Sequence, residues 1–151
     1  MKKKPVIIVI LAMLILTAAL GAWHLGSRKK VPEGALVILT EGKEHYVTTR
    51  DISKVEINGT LINGKGEERE VHTEGSAFAD VLRIAGIDMN GFKVVKVTAQ
   101  DEFSAEVSRE EISEEGKVYL ANDDGSWTLI VFGDPNSKRN VRNAARLEVL
   151  S

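Results

Sequence analysis

Val-Val-Lys-Val-Thr-Ala-Gln-Asp-Glu-Phe-Ser-Ala-Glu-Val, residues 94–107, is the stretch from which the globular part of this chain is read. Asn90-Gly91 predicts a turn into a strand over residues 92–98. Phe103, Ala105 and Val107 then alternate with Ser104 and Glu106, which predicts a second strand with one wet face. Ser108-Arg109-Glu110-Glu111 has the spacing of a capping box and predicts a short helical turn. Residues 118–121 read as a strand and Asn122-Asp123-Asp124-Gly125 as a turn. Residues 127–132, Trp-Thr-Leu-Ile-Val-Phe, are apolar on both faces and predict a central strand. Leu147 and Val149 alternate in a last strand.

Upstream, residues 35–40 and 45–49 read as two strands about a turn at Glu41-Gly42-Lys43. Val55 and Ile57 alternate with polar neighbours, and Asn58-Gly59 signals a hairpin with residues 60–62 as the returning strand. Asn63-Gly64-Lys65-Gly66 is a second turn, followed by a charged strand over residues 67–72. Phe78, Val81, Leu82 and Ala85 fall at i, i+3, i+4 and i+7, the apolar face of a helix over residues 77–85. Ser76 is placed to cap its start and Gly86 to end it. Many short strands and one good helix give an α+β class with a single mixed-sheet domain over residues 35–151.

The first 30 residues differ from all that follow. A tail of residues 1–5 carries Lys2, Lys3 and Lys4, and residues 6–23 are then uncharged. At 1.5 Å per residue this run reaches roughly 27 Å, close to a bilayer's apolar thickness. It reads as a transmembrane signal-anchor over residues 6–24, or as a signal peptide, although it exceeds the usual signal core. His24 falls at its edge, and residues 25–34 form a polar linker. Lysines before the run and Arg28, Lys29 and Lys30 after it nearly balance the charge rule for orientation. The usual outcome for this layout is a short cytoplasmic tail, a single-pass cell-membrane anchor and an extracytoplasmic domain.

All 22 acidic residues lie beyond residue 30, against 14 basic ones, so the globular part carries −8. That charge argues against a nucleic-acid partner. The chain has no cysteine, which excludes disulfides, thiolate metal ligands and a cysteine nucleophile. No phosphate loop, dinucleotide fingerprint, zinc-protease helix or nucleophile elbow occurs. His45 and His72 each sit in a strand among polar residues, and their spacing does not suggest a metal site. The loop from Gly133 through Pro135 to Asn140, followed by Arg142, does stand out. It places Lys138, Arg139 and Arg142 within five residues of an otherwise acidic domain. Read functionally it is an anion or cofactor site, with backbone amides able to approach a phosphate or carboxylate. Read structurally it is a solvated loop, and on the residues alone the second reading is the stronger.

The order of these pieces resembles the C-terminal half of the sulfite-oxidase-type molybdopterin-binding domain family. Gly75, Phe78, Asp80, Val81 and Leu82 match that family's helix; Ala99, Asp101 and Phe103 match the piece after the next strand. Asp124-Gly125 matches a turn, Gly133 and Pro135 a loop, and Val141, Arg142, Arg146, Leu147 and Val149 the closing strand. The match covers about residues 60–150. The resemblance implies a molybdopterin-binding-like fold, a phosphate-bearing cofactor near the loop, and Asp101 and Phe103 in its wall. It also marks a departure, because the family's enzymes hold molybdenum through a cysteine absent here. The resemblance therefore implies a short membrane-anchored member acting as a binding or accessory module for a redox or envelope protein. The alternatives are an active oxidoreductase with an unconventional site, and an envelope interaction domain of SLBB or β-grasp type. The last is suggested by the likeness of residues 75–87 to the helix of those domains.

Overall fold

A computed structural model describes residues 3–26 and 31–151; the side chain of His24 and the charged linker residues 27–30 lie outside the described part. The chain forms two compact units, divided after Val31.

The first is the helix α1 (Lys3–Gly26). Its segment Lys3–Trp23 is 21 residues, long and apolar enough to cross a membrane, and a signal sequence at an N-terminus has the same character. Helical backbone begins within the expected tail and runs two residues past the expected end of the span.

The second unit, Pro32–Ser151, is the expected α+β mixed-sheet domain, and its strands are divided between two sheets. One has five strands: β1 (Leu36–Thr40), β2 (Lys43–Val47), β5 (Val94–Ala99), β6 (Ser104–Ser108) and β9 (Ala144–Leu150), in the order β2-β1-β9-β5-β6. The other has four: β3 (Val55–Ile62), β4 (Glu68–Ala77), β7 (Val118–Asp123) and β8 (Ser126–Val131), in chain order. Between them in sequence come the helices α2 (Phe78–Ile84) and α3 (Arg109–Ser113). The pairing of β1 with β9 is parallel and makes the first sheet mixed. It brings the two ends of the unit together, with the rest of the chain as the long crossover that parallel neighbours need.

The alternation along β5 explains its place. Val95, Val97 and Ala99 are buried while Val94, Lys96 and Thr98 are half-exposed, as one-sided burial requires. The buried set joins Leu36, Ile38, Val107 and Leu147 of the same sheet. It also meets Leu120, Trp127 and Leu129 of the other sheet, and Phe78, Val81 and Leu82 of α2, in one core. The chain before β1 is tied down where the Trp127 indole N–H donates to the Gly34 carbonyl at 3.0 Å. The capping box at Ser108 forms as its spacing predicts: the Glu111 amide donates to Ser108 Oγ, and the Ser108 amide donates to the Glu111 carboxylate. Gly86 ends α2 as expected; its amide bonds Arg83 and the Ile87 amide bonds Leu82, the two bonds of a Schellman end.

Four local expectations are corrected. Asn58-Gly59 is not a turn but the middle of β3, which pairs with β4 without interruption from Val55 to Ile62. The hairpin instead closes through Asn63-Gly64-Lys65-Gly66. The glycine at 59 answers a packing need: a Cβ there would lie 2.5 Å from the Phe132 ring. Gly59→Ala is expected to destabilise by about 1–2 kcal/mol in urea unfolding, as overpacking does. In a Phe132→Ala background the added penalty should largely vanish, since the obstacle is a side chain; an undiminished penalty would contradict this reason for the glycine.

Ser76 does not cap α2. The chain passes directly from β4 into the helix, Ala77 occupies the cap position without a side-chain bond, and Ser76 is buried. Of the expected turn at residues 122–125, Asn122 and Asp123 continue β7, and the tight part is Asp124-Gly125. Finally, β8 is an edge strand and not a central one. It is apolar on both faces because two clusters claim it: Trp127, Leu129 and Val131 face the main core, and Ile130 a second one. Its outer edge is covered in part by the chain returning to β9, where the Leu129 amide donates to the Val141 carbonyl at 2.9 Å.

Candidate functional site

A second, smaller core lies on the four-stranded sheet. Ile57 and Leu61 of β3, Ala121 of β7 and Ile130 of β8 are buried together, with Val71, Tyr119 and Phe132 packed against them. Tyr119 and Phe132 meet edge-on with ring centres 5.9 Å apart. Strand β4 pairs with β7 over only three residues, from Gly75 opposite Ala121 to Ala77 opposite Tyr119. Before Gly75 it pairs with β3 alone. The space left between is a groove of ≈ 620 Å³. Residues 69–73 of β4 line one side, and Ala121, Asp123, Thr128 and Ile130 the other.

The loop after β8 closes one end of this groove. Ser137 Oγ donates to the Ile62 carbonyl and fastens the loop to the end of β3. A recess of ≈ 250 Å³ lies there, lined by Leu61, Asn63, Arg69, Asn136, Asn140 and Arg142 among others. Arg69 and Arg142 thus border both recess and groove, and neither makes an ion pair among the described residues. Asn140 Oδ1 is buried without a hydrogen-bond partner. An isolated buried amide oxygen is costly, so this side chain lacks a partner that a ligand or water would supply.

The three cations expected to act together are separated by the fold. Arg142 and Lys138 are both exposed, but Arg142 lines the groove and the recess while Lys138 lines neither. Arg139 turns toward β6 and α3. Its Nε donates to Asp134 at 2.7 Å, and its two terminal nitrogens reach the Glu111 carboxylate at 2.8 and 2.7 Å. The Asp134 and Glu111 carboxylates raise the guanidinium pKa further, Asp134 contributing most. In return the Arg139 hydrogen bonds pull Glu111 down to about 2, against a partial burial that favours its neutral form. This cluster holds the loop to the capped turn of α3, so Arg139 is a structural ion.

Gly133 and Pro135 are exposed positions of the same loop. Asp101 and Phe103 lie at the turn between β5 and β6, where Asp101 Oδ1 accepts the Phe103 amide at 3.1 Å. Phe103 is 49% exposed, and neither residue lines the groove. Asp101 therefore serves the turn. His45 and His72 sit on different sheets, and His72 Nδ1 lies 2.9 Å from Asn58 Oδ1. No group of three or more histidines, aspartates or glutamates is gathered for a metal among the described residues.

Arg69 was missed in the sequence because it stands among Glu67, Glu68 and Glu70 and reads as a surface charge. The available signal was the period of two that puts Arg69, Val71 and Thr73 on one face of a strand.

These residues do not fit the molybdopterin that the resemblance implies. There is no thiolate for the metal, and the three cations do not converge, one of them being held by two carboxylates. No protein-family model matches the chain, and no curated protein is significantly similar to it.

Proposed function

We propose that this chain is a membrane-tethered binding or accessory module whose domain has a layout akin to the molybdopterin-oxidoreductase type, without that family's metal chemistry. The observation that carries the binding role is the groove between β4 and the β7–β8 hairpin, where Val71, Ala121 and Ile130 supply apolar surface and Arg69 and Arg142 make no ion pair among the described residues. Such a combination of apolar surface and a few convergent polar groups suits ligand recognition. Glu111 and Arg139, whose mutual hydrogen bonds favour their charged forms, lie outside it and hold the loop in place. The apolar helix α1 supports a tether; the charges on its two sides are balanced, so the extracytoplasmic side is taken from the usual outcome for a short N-terminal tail before a single anchor. A redox or envelope protein is the partner this placement favours.

The tether is tested on the full chain in its host. Alkaline extraction should leave the protein in the membrane pellet with its N-terminal residues intact, and external protease should digest the domain in spheroplasts. A soluble product lacking the first 20-odd residues, or a domain protected from protease, would contradict the arrangement.

A further inference from the structure

We infer that the groove captures the C-terminal end of an extended peptide, added as a strand along the free edge of β4. The inference rests on the reading of the domain as a binding module and names the class of its partner.

The first ground is the backbone. In a strand, amide and carbonyl groups point alternately to its two sides. Strand β3 satisfies one side of β4 along its length up to Gly75, but β7 meets the other side only from Gly75 onward. From Glu68 to Glu74 that second side has no strand beside it among the described residues. Unpaired edges of this kind are templates for strand addition. Here the edge faces a groove, and its residues 69–73 line that groove consecutively. Five strand residues span about 16 Å, room for four or five residues of an added peptide.

The second ground is the charge at one end. Arg69 and Arg142 border the recess and make no ion pair among the described residues. A guanidinium presents paired donors that match a carboxylate. Asn140 Oδ1 lies beside them buried and unpartnered; since amide oxygen and nitrogen are assigned from their surroundings, the turned-over amide would donate there instead. Asp123 also lines the groove, and the register that sets Gly75 opposite Ala121 leads it toward the Thr73 end, away from Arg69. A peptide antiparallel to β4 therefore places its terminal carboxylate at the arginines and an upstream cationic residue near Asp123. Val71 and Ile130 supply apolar surface between. An internal strand of a partner has no terminal carboxylate to match the recess.

The test uses isotope-labelled full-length protein in phosphatidylcholine nanodiscs. The probes are two equimolar pools of N-acetylated random hexapeptides, one with free C-terminal carboxylates and one amidated. The free-acid pool should shift the amide resonances of residues 69–73 saturably, and the amidated pool should bind at least about tenfold more weakly, the scale of a lost charged hydrogen bond. Arg69→Gln and Arg142→Gln should each weaken the free-acid response by a similar factor with the remaining spectrum unchanged, while Lys138→Gln leaves it intact. Equal binding of both pools, shifts confined to other surfaces, or no response would each overturn the proposal. None of these results touches the tether or the cofactor content, which test the broader reading separately.

Discussion

Gly75→Ala should be the most damaging single methyl added to this domain, destabilising it by about 3 kcal/mol, the upper end of ordinary overpacking. A Cβ at position 75 would lie 2.3 Å from the Leu120 carbonyl oxygen and 2.6 Å from the Ala121 Cα. Both are backbone atoms of β7, so no rotamer change relieves the contact and the strands must part. Only three residue pairs join β4 to β7, which leaves few other bonds to hold them. For a domain of this size the melting temperature should fall by about 10–15 °C. Gly64→Ala is the matched control: nothing lies within 4 Å of its added Cβ and its φ is outside the left-handed region. Its effect should stay within about 0.5 kcal/mol, as for substitutions away from such features. A Gly75→Ala protein as stable as the Gly64→Ala protein would refute the close approach of β4 and β7 on which the groove depends.

Arg139→Met should have the next largest effect, a loss of about 2–4 kcal/mol. Removing one partner of a buried ion cluster typically costs 3–5 kcal/mol, and partial exposure of the guanidinium reduces that to roughly this range. The variant leaves Asp134 and Glu111 facing each other's neighbourhood without the cation, at side-chain exposures of 13% and 23%. The pH dependence follows from Glu111. Its folded pKa, about 2, lies below its ordinary value of 4.5, so the folded state favours the charged form. Its contribution is fully present above that ordinary value and is lost as pH falls from about 4.5 toward 2. Arg139→Met removes the largest cause of the lowering, so the acid sensitivity in that window should flatten as overall stability drops. Urea unfolding of both proteins between pH 2 and 6 measures this; parallel pH profiles would show that the ion cluster does not set the Glu111 titration.

Much of the architecture is legible where a local rule and its tertiary context agree. The alternation of Ala105 and Val107 with Ser104 and Glu106, the spacing of Ser108 and Glu111, and the apolar face of Phe78, Val81 and Leu82 each have one physical solution, and each forms; Phe103, expected on the same strand face, falls in the turn before β6 and is exposed. The failures share a cause. Asn58-Gly59 obeys turn chemistry locally, yet Gly59 is required by a ring 73 positions later in the chain. Residues 127–132 signal burial on both faces, and burial does not distinguish a central strand from an edge strand between two clusters. The cations at 138, 139 and 142 are neighbours in sequence, but a loop has no fixed period, so their common direction was not encoded. Arg142 and Arg69 line one recess, beyond the point where β4 stops pairing with β7, a long-range juxtaposition that no window of sequence reports.

We propose that the domain shares with the molybdopterin family the order of its sequence pieces and works without that family's cofactor. Quantifying molybdenum and pterin in full-length protein, purified folded from membranes of a host that makes molybdopterin, tests this most directly. Folded protein with neither molybdenum nor a fluorescent pterin oxidation product, and with the same result when purified in the presence of excess cofactor, is the expected outcome. Stoichiometric molybdenum or pterin would contradict it and would require a ligand set built without any thiolate.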